Sequence, residues 1–155
     1  MRLAAAFALL ALPAYAVAPH DLLGFYPGQT AKDGFAVAKV HAAKPCDAAK
    51  NCVTFDALYL GRMATVSVEL DEIEGVQRVA FRITTDRQPN HPECAALGGS
   101  VVAAAAKLYG KFNESDPGAS YTWHDDKRKL KMTIICFSPT QGSIVGLFQK
   151  VSAAK

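Results

Sequence analysis

Along much of this chain apolar side chains return at every second position, the period of a β-strand with one buried face. The clearest case is 63–70, where Ala64, Val66, Val68 and Leu70 alternate with Met63, Thr65, Ser67 and Glu69. Val79, Phe81 and Ile83 alternate in the same way with Arg78, Ala80, Arg82 and Thr84. A β-branched and aromatic run over 52–60 supplies a third strand, and the acidic stretch 71–75, ending in Gly75, reads as a hairpin connection. These three strands predict an antiparallel meander with one wet face. Further on, 121–124, a tight turn at 125–128 and 129–137 predict a hairpin, with Leu130, Met132, Ile134 and Cys136 sharing one face. A last strand follows over 143–151. Near the start, the short apolar segment 22–26 reads as an opening strand, turned by Pro27-Gly28.

Two stretches switch to three–four spacing. Thr30 is placed as a helix N-cap with Asp33 completing a variant capping box, and Phe35, Ala38 and Ala42 fall on one face. A helix over 31–43 follows, ended by Pro45, which pushes Lys44 out of helical geometry. Pro92 suits the first turn of a second helix. There Cys94, Leu97, Val101, Ala104, Ala105 and Leu108 repeat at helical spacing, and Gly110 stands where a C-terminal cap belongs. Gly98-Gly99 interrupts the pattern: either the helix keeps them for close packing, or it restarts with Ser100 as a new N-cap. The expected order is β-α-β-β-β-α-β-β-β. This is an α+β domain with two helices packed on one face of an antiparallel β-sheet, in two similar α-plus-meander halves.

Residues 1–16 depart from both periods. Arg2 precedes an apolar run over 3–12, Pro13 breaks it, and Ala14-Tyr15-Ala16 forms a small-x-small cleavage site. The run is shorter than the ~20 residues a bilayer-spanning helix needs, so it is read as a secretory signal peptide. Cleavage near Ala16 leaves one α+β domain over 17–155, in the periplasm or secreted. No cysteine follows the apolar run, so no lipid anchor is expected there. A formal charge of +3 at pH 7 is too small to suggest nucleic acid or an anionic membrane as partner. The local run Lys127-Arg128-Lys129, with Lys131, follows Asp125-Asp126 and reads as a partly neutralised, solvated hairpin tip.

The four cysteines make an even count, which in an exported chain argues for two disulfides. Three connectivities are open. Cys46 and Cys52 are close enough to bridge a small loop, which leaves Cys94 with Cys136. Two independent patterns favour that second pair, since Cys94 falls on the apolar helix face and Cys136 on the inward strand face. A metal site using His41, His91 or these thiols fits poorly: Cys-x5-Cys is poor zinc spacing, and His91-x-x-Cys94 has no matching second pair. No metal and no cofactor is expected, and no phosphate loop or dinucleotide fingerprint is present.

No catalytic residue is assigned either. Ser100 lacks a Gly-x-Ser-x-Gly elbow, His124-Asp125-Asp126 lies beside a turn, and Asp71 with Glu72 sits in another. His20 is placed in the flexible mature N-terminus, and His41 on the water-facing side of the first helix. Asn113-Glu114-Ser115 matches a glycosylation sequon, relevant to a eukaryotic source. Two alternatives to a binding role stay open. One is a small hydrolase using Ser100 or His124, which requires a pocket; the other is a carrier of a small apolar ligand, which requires an apolar cavity.

The opening Leu23-Gly24-Phe25-Tyr26-Pro27-Gly28-Gln29-Thr30, the Cys46–Cys52 loop, Lys107-Leu108-Tyr109-Gly110 and the tryptophan strand at Trp123 together resemble a recurring type of bacterial periplasmic protein. The opening is similar to that of SmpA/BamE-like assembly lipoproteins and of β-lactamase-inhibitor-like domains. Gln29 replaces their frequent methionine or serine, and the lipid-attachment cysteine of the lipoproteins is missing. The resemblance implies helices on an antiparallel sheet and non-enzymatic binding of other proteins. The expected function is an exported protein-binding module, an envelope assembly factor or inhibitor, whose partner is another periplasmic or secreted protein. Phe25, Tyr26, Tyr59, Tyr121 and Trp123 are the candidate contact residues, because aromatics are enriched in interface hot spots.

Overall fold

A computed structural model describes residues 19–47, 51–84, 91–136 and 142–151. The leader-like segment 1–16, the Pro89 loop and Phe137 lie outside the described residues. Among the described residues, two α-helices and eight strands form: α1 Ala31–Val40, β1 Lys44–Pro45, β2 Cys52–Tyr59, β3 Arg62–Asp71, β4 Gly75–Thr84, α2 His91–Tyr109, β5 Glu114–Asp116, β6 Ser120–His124, β7 Arg128–Ile135 and β8 Ser143–Lys150. All strands pair antiparallel in one sheet of order β1-β2-β3-β4-β8-β7-β6-β5. The α+β architecture thus follows the alternation in the sequence.

The sheet's inner face is the core. Val68, Val79, Phe148, Leu130 and Trp123 form one row across β3, β4, β8, β7 and β6. Val66, Phe81, Gly146, Met132 and Tyr121 form the next. A bulge between Glu69 and Leu70 shifts the register, so that Val76 also turns inward opposite Leu70. Both helices lie over this face. Gly34 of α1 sits against Leu70 and Val76, and Gly98 of α2 sits against Ile134. The Tyr59 and Tyr109 hydroxyls meet at 2.7 Å beneath the two halves. Burial, reinforced by Tyr109, pushes the Tyr59 phenol far above its ordinary range.

Several expectations need correction. Residues 22–26 are not a strand: Leu23 and Gly24 both take positive φ, so the chain reverses, and Leu22 and Phe25 exchange backbone hydrogen bonds of 2.8 and 3.2 Å. Helix α1 stops at Val40 rather than 43, because His41 caps it and Ala42 turns left-handed. Its buried face is Gly34 and Ala38, while Phe35 is 44% exposed. A Cβ at Gly34 would lie 2.8 Å from Leu70, so the bare position sets which face meets the sheet. Helix α2 runs unbroken through Gly98-Gly99, and Ser100 donates to the Leu97 carbonyl instead of capping a new helix. The Thr30 cap does form, accepting from the Asp33 N–H and donating to the Asp33 carboxylate. Strands β1 and β5 are additions to the expected order; two and three residues are too few to show a period.

Both disulfides form as Cys46–Cys52 and Cys94–Cys136, with Cα atoms 5.3 and 5.7 Å apart. The first staples β1 to the start of β2. The second ties buried Cys94, in the first turn of α2, to the chain leaving β7.

Candidate binding cleft

One end of the sheet carries a cleft of about 580 Å³, lined by Tyr26, Pro27, Gly28, Asp126, Lys127, Arg128, Lys150 and Val151. Three distant segments build it: the turn before α1, the β6–β7 connection and the end of β8. Gln29 holds the first wall. It is 4% exposed, its side chain donates to the Gly24 carbonyl at 3.1 Å and accepts from the Tyr26 N–H at 3.3 Å. The residue that departs from the resembled opening is therefore the clamp of this turn. Gly28 has φ of +91°, and a Cβ there would lie 2.7 Å from the Lys150 side chain. Its bareness gives the lysine stem its path across the cleft wall.

Asp125 holds the second wall, with Oδ1 accepting the N–H groups of Lys127 and Arg128 at 2.8 and 2.7 Å. Partial burial opposes its charge. The two N–H groups, then the Arg128 and Lys127 charges, outweigh that and keep the carboxyl below the usual range. Arg128 is fixed from both sides, donating to the His20 carbonyl at 2.7 Å and lying 4.0 Å from the Asp125 carboxylate. Lys127 and Lys150 have no ion-pair partner among the described residues. The cleft thus presents three cations against Asp126, with the Tyr26 ring 40% exposed and Val151 39% exposed at its rim. Such a set holds carboxylates by charge-assisted hydrogen bonds and holds an apolar side chain between them. Its lining brings no serine, cysteine or histidine to the site.

The five expected contact aromatics separate. Phe25, Tyr59 and Trp123 are core residues, at 0, 6 and 0% exposure. Phe25 packs on Phe55, Tyr59 edges onto Phe81, and the Trp123 indole donates to the Gly110 carbonyl at 2.9 Å. Tyr121 is half-buried against Phe112, and its hydroxyl accepts from the Gly118 N–H. Tyr26 reaches the cleft. Lys127 and Arg128 do lie at a hairpin tip with Asp125 beside them, as expected. Their meeting with Tyr26 and Lys150 has no sequence signal, since register sets Arg128 opposite Lys150 and the Gly28 N–H bond to the Val76 carbonyl brings the Tyr26 turn to the same end of the sheet.

The structure does not bring Ser100 and His124 together. Ser100 belongs to the helix over the inner face, whereas His124 follows inward-facing Trp123 and so points to the outer face, 3.4 Å from Glu114. His41 does not face water as expected: it caps α1 half-buried, stacked on Phe55 at 4.4 Å with Nε2 3.0 Å from the Leu23 carbonyl. All four cysteine sulfurs are in disulfides. Among the described residues no group of three histidine, cysteine or acidic side chains is placed to hold a metal. Helix α2 opens at His91, whose side chain lies outside the described residues. A smaller hollow of about 230 Å³ on β5–β7 mixes Glu114 and Asp116 with Lys129 and Lys131, so its charges largely cancel.

Compared with protein-family models, with curated proteins and with solved structures, the chain matches none.

Proposed function

We propose that this protein is an exported, disulfide-held binding module that recognises an acidic segment of another protein of the envelope or secreted space. It acts as an assembly factor or inhibitor, without chemistry of its own. The convergence of Tyr26, Lys127, Arg128 and Lys150 on one cleft carries the reading. Preformed walls support it, since Gln29 and Asp125 fix both sides before any partner arrives and reduce the ordering cost of binding. Export is supported by the two disulfides, which persist in oxidising compartments, and by the leader-like pattern of 1–16. The opening shared with SmpA/BamE-like and inhibitor-like domains points the same way. Among the described residues no helix is long and apolar enough to cross a membrane.

The test is fluorescence anisotropy on oxidised protein beginning at Val17. The probe is a labelled peptide alternating glutamate with isoleucine, and its lysine–isoleucine counterpart is the control. The acidic peptide should bind, and the pair Lys127→Ala with Lys150→Ala should weaken it about tenfold, equivalent to ~1.4 kcal/mol. Raising the salt should weaken it as well. Equal binding of the lysine peptide, or binding indifferent to both substitutions, overturns the proposal.

A further inference from the structure

The same end of the sheet carries the chemical complement of this cleft. Between β3 and β4 the chain turns through Asp71-Glu72-Ile73-Glu74-Gly75. Asp71 Oδ1 accepts the N–H groups of Ile73 and Glu74 at 2.7 and 3.0 Å, and Asn51 donates to its other oxygen at 2.7 Å. The tip so formed holds Ile73 out in solvent at 93% exposure, the most exposed large apolar side chain among the described residues. Glu72 and Glu74 flank it, both exposed and neither in an ion pair among the described residues. Two carboxylates around an isoleucine match three cations around a tyrosine and a valine.

The tip does not fill the cleft of its own chain, and none of its residues lines it. Its root is fixed too closely to the near wall. Val76 N–H donates to the Gln29 carbonyl at 2.9 Å, Gly28 N–H donates to the Val76 carbonyl at 2.7 Å, and a Cβ at Gly75 would lie 2.1 Å from the Gln29 oxygen. Tip and cleft therefore sit side by side in a fixed relation, one strand apart on β4 and β8. Two patches of opposite character, adjacent on one end, suit a two-fold contact in which each copy gives its tip and receives the other's.

We propose that the cleft, besides an acidic segment of a partner protein, takes the β3–β4 tip of a second copy, forming a two-fold dimer with two equivalent tip-in-cleft contacts. This rests on the reading of the cleft as a site for acidic segments. The facing surfaces are small, so the dimer is a weak and salt-sensitive one, below the size of a permanent interface.

Sedimentation equilibrium of the oxidised protein from Val17, at low salt and several concentrations, tests it. Wild type should show a concentration-dependent dimer that dissociates as salt is raised. Glu72→Lys with Glu74→Lys should be monomeric, as should Lys127→Glu with Lys150→Glu. Mixing these two charge-reversed proteins should restore a dimer, because both contacts then pair opposite charges. Ile73→Ser should weaken dimerisation about tenfold without altering charge. A monomeric wild type at every concentration, or a mixture that stays monomeric, overturns the dimer. In that event, acidic peptide still bound at Lys127 and Lys150 would leave the proposed function standing. Loss of peptide binding along with the dimer would overturn both.

Discussion

The two halves of the sheet are laid out alike and fastened differently. Read from the outer strands inward, β1–β4 and β5–β8 mirror each other and meet at the β4–β8 pair, each with one helix over the inner face. In the first half α1 is 10 residues long and buries only Gly34 and Ala38. Side chains outside the helix finish the cover: Leu22 and Phe25 from the preceding turn, and His41 stacked on Phe55. In the second half α2 is 19 residues long and buries Cys94, Gly98, Val101, Val102 and Ala105, and its one aromatic, Tyr109, edges onto Trp123. Small side chains bury little apolar area each, so this helix relies on close approach and a covalent tie. A shared layout follows from the period of the strands; the fastening follows from what is left uncovered.

The disulfides put that difference to its largest test. Cys94–Cys136 spans 42 residues and Cys46–Cys52 spans 6. In the chain-entropy account the long loop is worth ~4 kcal/mol and the short one ~2 kcal/mol. Denaturant melts of Cys94→Ala with Cys136→Ala should therefore show about twice the loss seen for Cys46→Ala with Cys52→Ala. A larger loss from the short loop would mean that β1 relies on its staple more than α2 does, and would reverse the comparison.

The layout was legible where period and burial coincide. Ala64, Val66, Val68 and Leu70 announce β3, and the inward positions of Cys94 and Cys136 favour their pairing. What stayed hidden depends on contacts the sequence does not encode locally. The segment 22–26 is apolar enough for a strand, yet two consecutive positive φ angles at Leu23 and Gly24 make it a turn. Phe35 looks like a core residue until the bare Gly34 lets Leu70 and Val76 select the neighbouring face. Aromatic size alone cannot separate an interface anchor from a core side chain. Phe25, Tyr59 and Trp123 went to the core, and Tyr26 alone of the five reached the cleft. Lys150 carries no signal, because its role depends on segments far apart in sequence.

The glycine pair of α2 gives a smaller and more local test of close approach. A Cβ at Gly98 would lie 2.6 Å from Ile134, whereas a Cβ at Gly99 meets nothing within 4 Å. Gly98→Ala should force the helix off β7 and destabilise the domain by ~1–3 kcal/mol, as overpacked core positions do. Gly99→Ala should stabilise it by up to ~1 kcal/mol through helix propensity. Thermal melts of the two variants should move in opposite directions. Equal shifts would show that α2 does not depend on contact at Gly98, and its fastening would then rest on the disulfide alone.

The smallest effects separate the two hairpin tips. Asp71 and Asp125 use the same device, one carboxylate oxygen accepting the N–H groups two and three residues ahead. Both carboxyls are held below the usual range, but by different means. At Asp71 the Glu74 and Ile73 N–H groups lower it against a slight desolvation, with no contribution from a neighbouring charge. At Asp125 partial burial works against the charge, and the Arg128 and Lys127 charges add to the hydrogen bonds that overcome it. A carboxyl lowered in the fold contributes stability above its unfolded pKa of ~3.9 and loses it as pH falls through the folded value. Amide protection at Ile73, Glu74, Lys127 and Arg128 should therefore fall below pH ~4, and Asp→Asn at either site should flatten that response at its own tip only. Salt distinguishes the two. Screening weakens the charge contribution at Asp125 and leaves the hydrogen-bond contribution at Asp71 in place, so added salt should move the acid midpoint of the cleft-side tip upward toward ~3.9 and leave the other unmoved. Equal salt shifts at both tips would mean that Lys127 and Arg128 do not direct their charge toward Asp125, leaving them unpaired cations of the cleft.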